Sequence, residues 1–577
     1  MRGRGAVGPS ARACACALLS LTFGCAQPAP APDTDPAVLR PDPAWVPTPA
    51  PEADAIYFVL VDRFADALDD PGPVDLDDPH AWHGGDLEGV REHVDDLAEL
   101  GIKTVWLSPI FRSRQARFGE WGAFHGYWVQ DLQTTDPRFG TPADLRALSD
   151  ALHARGMRLL LDMVYNHVSF DSPLREAHPE WFHPPRPIED YDDPVQRVEG
   201  QVHGLPDLAQ ERPEVDAWLY ARSLAWLRGA HADGLRIDAV RHISATWLGS
   251  LQRRLETELG RPLYTLGEVF DGDRRRLLET WAESGMQAAF DYPLYYALVD
   301  VFGKGAHAGR IGAALTADGV APAPGRWVTF LDNHDVPRIA SVCGGDLEQV
   351  RAALGVLLSA RGTPCLTYGT ESGLLGEHEP ANRGDMRFDE QPLRQTIGDL
   401  LAARAESAAL TRGDTRGYLL RPELLGLVRS APGGEAAVVV VNRGAEAVAP
   451  PLPAGFTPRA DVTSGAALEG WTVGPRATGV LVGSLDPRSE GETREVVFSA
   501  DPEVHAVGGA GLGDWDPTHS VARVSAPVGT IFEYKLVREA SPGSWTWEQR
   551  ETNRYLLVEP GDGPLHVSGE EAPTWPD

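Results

Sequence analysis

The sequence predicts an α/β fold: a (β/α)8 TIM barrel with an inserted domain B, followed by an antiparallel β domain and a C-terminal β-sandwich. Three observations carry this. From residue 53 onwards short apolar strands alternate with amphipathic helical stretches, and eight such units fit within roughly 350 residues, as a closed barrel with one excursion requires. Three of the strands run into a carboxylate, at Asp238, Glu268 and Asp335. Beyond residue 412 strand patterns continue without intervening helices.

The elements follow in order. Residues 56–61 (Ile-Tyr-Phe-Val-Leu-Val) read as the first strand, 87–100 as an amphipathic helix and 104–107 as the second strand. Thr141-Pro142 opens a helix reaching His153, with proline at a first-turn position where its missing N–H costs nothing. Further strands are expected at 157–162, 234–238, 263–267, 288–290, 327–331 and 363–367, with the insertion at about 168–211 after the third. The barrel is expected to span 53–411 and a small β domain 412–485. A polar linker near 487–492 then leads to a last β domain at 494–577, which carries Trp515, Trp545 and Trp547.

Residues 234–242 (Gly-Leu-Arg-Ile-Asp-Ala-Val-Arg-His) carry the strongest chemical signal. On a strand Leu235 and Ile237 face one way while Arg236 and Asp238 face the other. In a parallel barrel the C-terminal strand ends line the active site, so a cation and a carboxylate there point to chemistry. A structural ion pair would explain this stretch alone. Two further strand-end acids, Glu268 and Asp335, argue for one shared site.

Composition narrows the partners. The chain has 577 residues, a net charge of −31 and a pI near 4.9, so nucleic acid is excluded for want of clustered basic residues. A neutral substrate fits better. Lysine occurs only at positions 103, 304 and 535. At the N-terminus Arg2, Arg4 and Arg12 precede an apolar run at 13–23 that resembles a bacterial secretory signal and is too short to span a bilayer comfortably. Leu21-Thr-Phe-Gly-Cys25 is similar to a lipoprotein cleavage box whose leucine lies one place too far upstream. Export is therefore expected, either with a lipid anchor on Cys25 or by ordinary cleavage nearby. Residues 26–52, rich in Pro and Ala, read as a semi-rigid tether. Cys343 and Cys365 could pair in an oxidising compartment.

Taken together, Asp162-Met-Val-Tyr-Asn166-His167, Gly234 to His242, Glu268 and Phe330-Leu-Asp-Asn-His334-Asp335 resemble the four ordered motifs of the α-amylase family, glycoside hydrolase family 13. His125-Gly-Tyr127-Trp128 and Gly204-Leu-Pro-Asp207-Leu are similar to its accessory signatures. The resemblance implies Asp238 as nucleophile, Glu268 as acid and then base, and Asp335 as the third acid, which stabilises the transition state. Two carboxyl groups working in this way give retaining hydrolysis of a glycosidic bond. It further implies that Arg236 orients Asp238 and keeps it ionised, that His167 and His334 bond sugar hydroxyls, and that Tyr127 stacks beneath the ring at the cleavage point. Asp162 would support Arg236. Arg241, where many members have lysine, and His242 would serve the reducing-side subsites.

The same resemblance implies Ca²⁺ held by the side chains of Asn166 and Asp207 and the backbone carbonyl of His242, oxygen ligands suited to a hard cation. A second site near Asp66 and Asp86, as in some relatives, competes with a merely solvated acidic loop. The tail, through Gly513-Asp-Trp515-Asp-Pro517, Phe532-Glu-Tyr-Lys535, Trp547-Glu548 and Asn553-Arg554, resembles starch-binding carbohydrate-binding module family 20. That implies a glucose-stacking platform of Trp515 and Trp547 with Lys535 bonding hydroxyls. The expected partner is starch or another α-glucan, with no protein partner inferred. Hydrolysis of α-1,4 bonds is the preferred reading, with transfer to a sugar acceptor and non-catalytic glucan binding by a surface lipoprotein as the alternatives. The last would predict loss of one of the three acids.

Overall fold

The computed structural model describes residues 39, 41–48, 54–68, 72–317, 324–465, 467–486, 492–499, 501, 503–509, 511–567 and 573–575. The expected signal, Cys25 and most of the Pro/Ala tether lie outside the described residues. Eight parallel strands close into one barrel: β1 (Ile56–Val59), β2 (Thr104–Leu107), β3 (Arg158–Met163), β4 (Gly234–Ile237), β5 (Tyr264–Gly267), β6 (Ala288–Phe290), β7 (Trp327–Phe330) and β8 (Thr363–Thr367). β1 pairs with β8 to complete the ring. Nearly every strand residue is buried, because helices cover the outside while side chains fill the inside, so the strands read as apolar runs rather than strict alternations. Even the three-residue β6 is held on both sides, Leu266 pairing with Ala288 and Ala289 with Trp327.

The helix expected over 87–100 is two helices, α1 (Leu87–Glu92) and α2 (Val94–Leu100). At the break His93 bonds Asp96 at 2.8 Å and stacks on Phe388 at 3.8 Å, a tertiary contact that no periodicity encodes. Asp86 caps α1, accepting from Gly89 N at 2.7 Å, and takes the amides of Ala67 and Leu68 on its other oxygen. Its oxygens therefore serve backbone donors. α3 (Pro142–Ala154) starts with a capping box between Thr141 and Asp144.

Between β3 and β4 the insertion forms short helices, Leu174–Ala177 and Pro194–Glu199, and is pinned to the barrel where Leu208 N donates to Asn166 O at 2.8 Å. After the barrel β9 (Asp414–Arg421), β10 (Leu424–Ser430), β11 (Glu435–Asn442), β12 (Phe456–Asp461) and β13 (Ala477–Leu485) form an antiparallel sheet in the order β12-β13-β11-β10-β9. Two small sheets follow. One is β16 (Arg523–Pro527), β14 (Thr493–Val497) and β20 (Leu565–His566); the other joins β15 (Val504–Gly508), β17 (Ile531–Ser541), β18 (Ser544–Trp547) and β19 (Arg554–Leu557). Val496, Ala506, Phe532 and Tyr534 belong to the core they share.

Cys343 and Cys365 do not pair. Both are free, buried thiols, one after the helix Ile339–Val342 and the other inside β8, and burial pushes the Cys343 thiol up to about 12. No described helix is long and apolar enough to cross a membrane.

Candidate active site

The strand ends gather the predicted acids around one guanidinium. Arg236, on β4, is 1% exposed; its NH1 donates to Asp238 Oδ1 at 2.8 Å and to both Asp162 oxygens at 2.9 Å, while NH2 meets Glu268 Oε2 at 2.9 Å. Asp162, at the end of β3, also accepts from Trp106 Nε1 and from Tyr127 OH. That many donors make Asp162 a support for Arg236 rather than a group free to meet substrate. After Asp238 the chain turns through Ala239 in the left-handed region (φ 49), which aims the Ala239 N–H at Glu268 Oε2, 2.9 Å away. A non-glycine residue held there signals a conformation imposed by its surroundings.

Asp335 completes the group from the loop after β7. It pairs with Arg383 at 3.2 Å and lies 3.1 Å from His334 Nε2, and it is the most open of the three acids. Burial raises Glu268 to about 7, Arg236 opposing and the charge of Asp335 adding to the rise. Burial likewise pushes Asp238 well above the usual carboxylate range; Arg236 pulls it back, and Glu268 and Asp162 push it further. The charge of Arg236 is shared among three carboxylates, Asp162, Asp238 and Glu268. Such groups titrate as a unit, and a proton on Glu268 removes one of the repulsions that add to the effect of burial on Asp238.

The histidines are neutral. Burial lowers His167 to about 4 and drives His334 well below its ordinary value. His334 stacks on Tyr127 at 5.0 Å, and His167 Nε2 lies 3.2 Å from Tyr127 O. Tyr127 is placed by Gly126, whose φ of 84 and whose missing Cβ, which would stand 2.0 Å from Pro109 O, exclude other residues. These side chains, with Arg241 and His242, line a cavity of about 700 Å³ that contains Asp238, Glu268 and Asp335. Arg241 is tied to Asp271 at 3.2 Å, and His242 Nδ1 lies 3.0 Å from Arg197 O in the inserted domain.

Several lining residues escaped the sequence reading. Arg383 and Glu379 come from the loop after β8, where no motif marks them; Tyr292 sets its hydroxyl 3.5 Å from Glu268 Oε1. Phe118, Phe170, Tyr191 and Phe270 form aromatic walls. Only Phe270, two places beyond Glu268, had a positional cue.

Asn166, Asp207 and the His242 carbonyl do converge. Turned one way, the Asn166 carboxamide donates to His242 O at 2.7 Å and to Asp207 Oδ1 at 3.3 Å; turned the other way, its oxygen faces those two oxygens. The other Asp207 oxygen meets His183 Nδ1 at 2.6 Å. In the last domain Trp515 is 38% exposed and lines a groove that also includes Tyr296 of the barrel layer, while Trp547 is 36% exposed on β18 and does not line that groove. Lys535 Nζ donates to Arg550 O at 2.9 Å.

A closed parallel barrel whose strand ends hold three carboxyl groups on one buried guanidinium, one of them raised to about 7, defines a barrel of the acid–base catalytic class. The model of the α-amylase catalytic domain matches residues 58–403. The chain is 30% identical over 411 residues to the intracellular maltogenic amylase of Bacillus subtilis strain 168, covering 66% of this chain and 65% of that protein. It is 30% identical over 418 residues to the beta/alpha-amylase of Paenibacillus polymyxa, covering 67% of this chain and only 33% of that longer protein. The crystal structure of the Geobacillus thermoleovorans α-amylase complexed with acarbose superposes with a TM-score of 0.67 at 29% identity, over 74% of this chain and 98% of that one. The chain belongs to the α-amylase family.

Proposed function

We propose that the protein is a retaining α-glucan hydrolase that cleaves α-1,4 bonds of starch or related glucans. One observation carries this: Arg236 anchors Asp238 through one terminal nitrogen and Glu268 through the other. Asp238 attacks the anomeric carbon as Glu268 gives its proton to the departing glycosidic oxygen, leaving a sugar ester on Asp238. Glu268, now a carboxylate, takes a proton from water, whose oxygen attacks the same carbon and releases Asp238. Asp335, steadied by Arg383, faces the positive charge that develops on the sugar ring. His167 and His334, being neutral, can donate to or accept from hydroxyls, and Tyr127 offers its ring.

The convergence of Asn166, Asp207 and the His242 carbonyl supports a Ca²⁺ bound there, with the Asn166 carboxamide oxygen turned towards it and further oxygens completing the shell. It would tie the inserted domain to the strand end that carries Asp238. Exposed Trp515 and Trp547 support starch binding by the last domain, with the two remaining protons of Lys535 available to hydroxyls. The arginines, apolar run and Cys25 at the N-terminus support export, by secretion or on a lipid anchor.

Incubation with soluble starch followed by chromatography of the products tests the reading. Linear oligosaccharides are expected. Cyclic products would point to a transferase of the same family, and no product at all would point to a glucan-binding lipoprotein.

A further inference from the structure

Phe118 is 50% exposed, yet it lies in the catalytic cleft. It occupies one end of a tight hairpin on the long loop after β2, where Phe118 and Trp121 exchange backbone hydrogen bonds of 2.8 and 3.1 Å around Gly119 and Glu120. Gly119 has φ 62, the left-handed start that a two-residue hairpin turn needs. The ring of Phe118 stacks on Phe170 of the inserted domain at 4.9 Å and 18°, and meets Trp128 edge-on at 6.0 Å.

The loops behind this pair are tied together. Arg114 bridges to Asp171 at 3.1 Å, Ser169 Oγ donates to Asp171 at 2.6 Å, and Ser169 N donates to Val129 O at 2.6 Å. The two rings are thus fastened from both the barrel loop and the inserted domain. An apolar ring half open to water costs free energy unless something covers it. Here the covering has to come from whatever enters the cleft.

We propose that Phe118 and Phe170 form a preorganised aromatic plate that holds a glucosyl unit of the bound chain at a subsite remote from the bond being cleaved, so that this plate sets the preference for chain length. The inference rests on the α-glucan reading of the cleft. Tyr127 and Phe118 are linked through His125 and Trp128, with centroid separations of 5.9, 5.0 and 6.0 Å along the series. On this proposal the sugar on the plate occupies a different subsite from the one beside Tyr127. Both faces of a pyranose carry C–H groups suited to an aromatic surface, and such a contact tolerates chain movement better than directed hydrogen bonds do.

The test compares the wild type with Phe118→Ala and Phe118→Tyr, using linear maltooligosaccharides of increasing length, with thermal melting to confirm folding. The loss of kcat/KM in Phe118→Ala should grow with chain length, to about three- to tenfold more for the longest substrates than for the shortest, and should lie in KM. Phe118→Tyr, which keeps the ring, should restore most of it. A loss equal at all lengths, a loss confined to kcat, or failure of Tyr to rescue would overturn the plate. If the wild type degrades none of these substrates, the α-glucan reading itself fails, an outcome distinct from an active wild type whose length preference ignores Phe118.

Discussion

The Ala239 backbone N–H donates to Glu268 Oε2 at 2.9 Å, so the residue immediately after Asp238 holds the carboxyl group opposite it. The bond couples the ends of β4 and β5. Because Ala239 reaches it only in a left-handed conformation, the position of the acid depends on a local turn as well as on Arg236.

Glu268→Gln keeps the shape and the Ala239 contact but removes the proton donor. Turnover of soluble starch should fall by about 10²- to 10⁴-fold while glucan affinity, measured by calorimetry, stays within a few-fold. Wild-type turnover in this variant would remove Glu268 from its role.

Glu268 rises to about 7, so the acid form needed for the first step dominates below that pH and is lost above it. kcat/KM should decline about tenfold per unit on the alkaline side, beginning near 7. A profile flat to pH 9 would contradict a proton held on Glu268.

Arg236→Ala leaves Asp162, Asp238 and Glu268 buried without their cation, a change that costs on the order of 3–5 kcal/mol. The carboxyl groups can stay buried only by keeping protons, so their folded pKa values rise further above the unfolded values of about 4. Stability from such groups is complete below the unfolded value and is lost as pH rises towards the folded one. Denaturant unfolding should therefore show a larger deficit at pH 8 than at pH 5; equal deficits would refute the shared-cation account.

Added Ca²⁺ should stabilise the protein by about 2.7 kcal/mol at a hundredfold excess over its Kd, read as a rise in Tm. Asn166→Ala should abolish that rise. A wild-type Tm indifferent to Ca²⁺ would dispose of the site.

Trp547→Ala removes an exposed ring from β18 and should reduce adsorption to granular starch, measured by depletion from the supernatant. Undiminished adsorption would place the contact elsewhere.

The strand ends were legible because they are local. Apolar runs bounded by turn residues and closed by Asp238 and Glu268 state their own structure, and all eight barrel strands fall in the stretches expected of them, β3 alone running one residue further, to Met163. The break at His93 was hidden; there the ring stacks on Phe388, almost three hundred residues away. Arg383 was hidden for the same reason, as only the closed barrel brings the loop after β8 to Asp335.

By itself, then, the sequence determined the order of elements, the identity of the three acids and the arginine beside them, because each rests on spacing within a few residues. Tertiary structure decided how one guanidinium is divided among Asp162, Asp238 and Glu268, and which aromatic rings wall the cleft. It also left Cys343 and Cys365 unpaired. Those outcomes depend on burial and on contacts between distant segments, and neither burial nor distance in space is written in the spacing of residues along a chain.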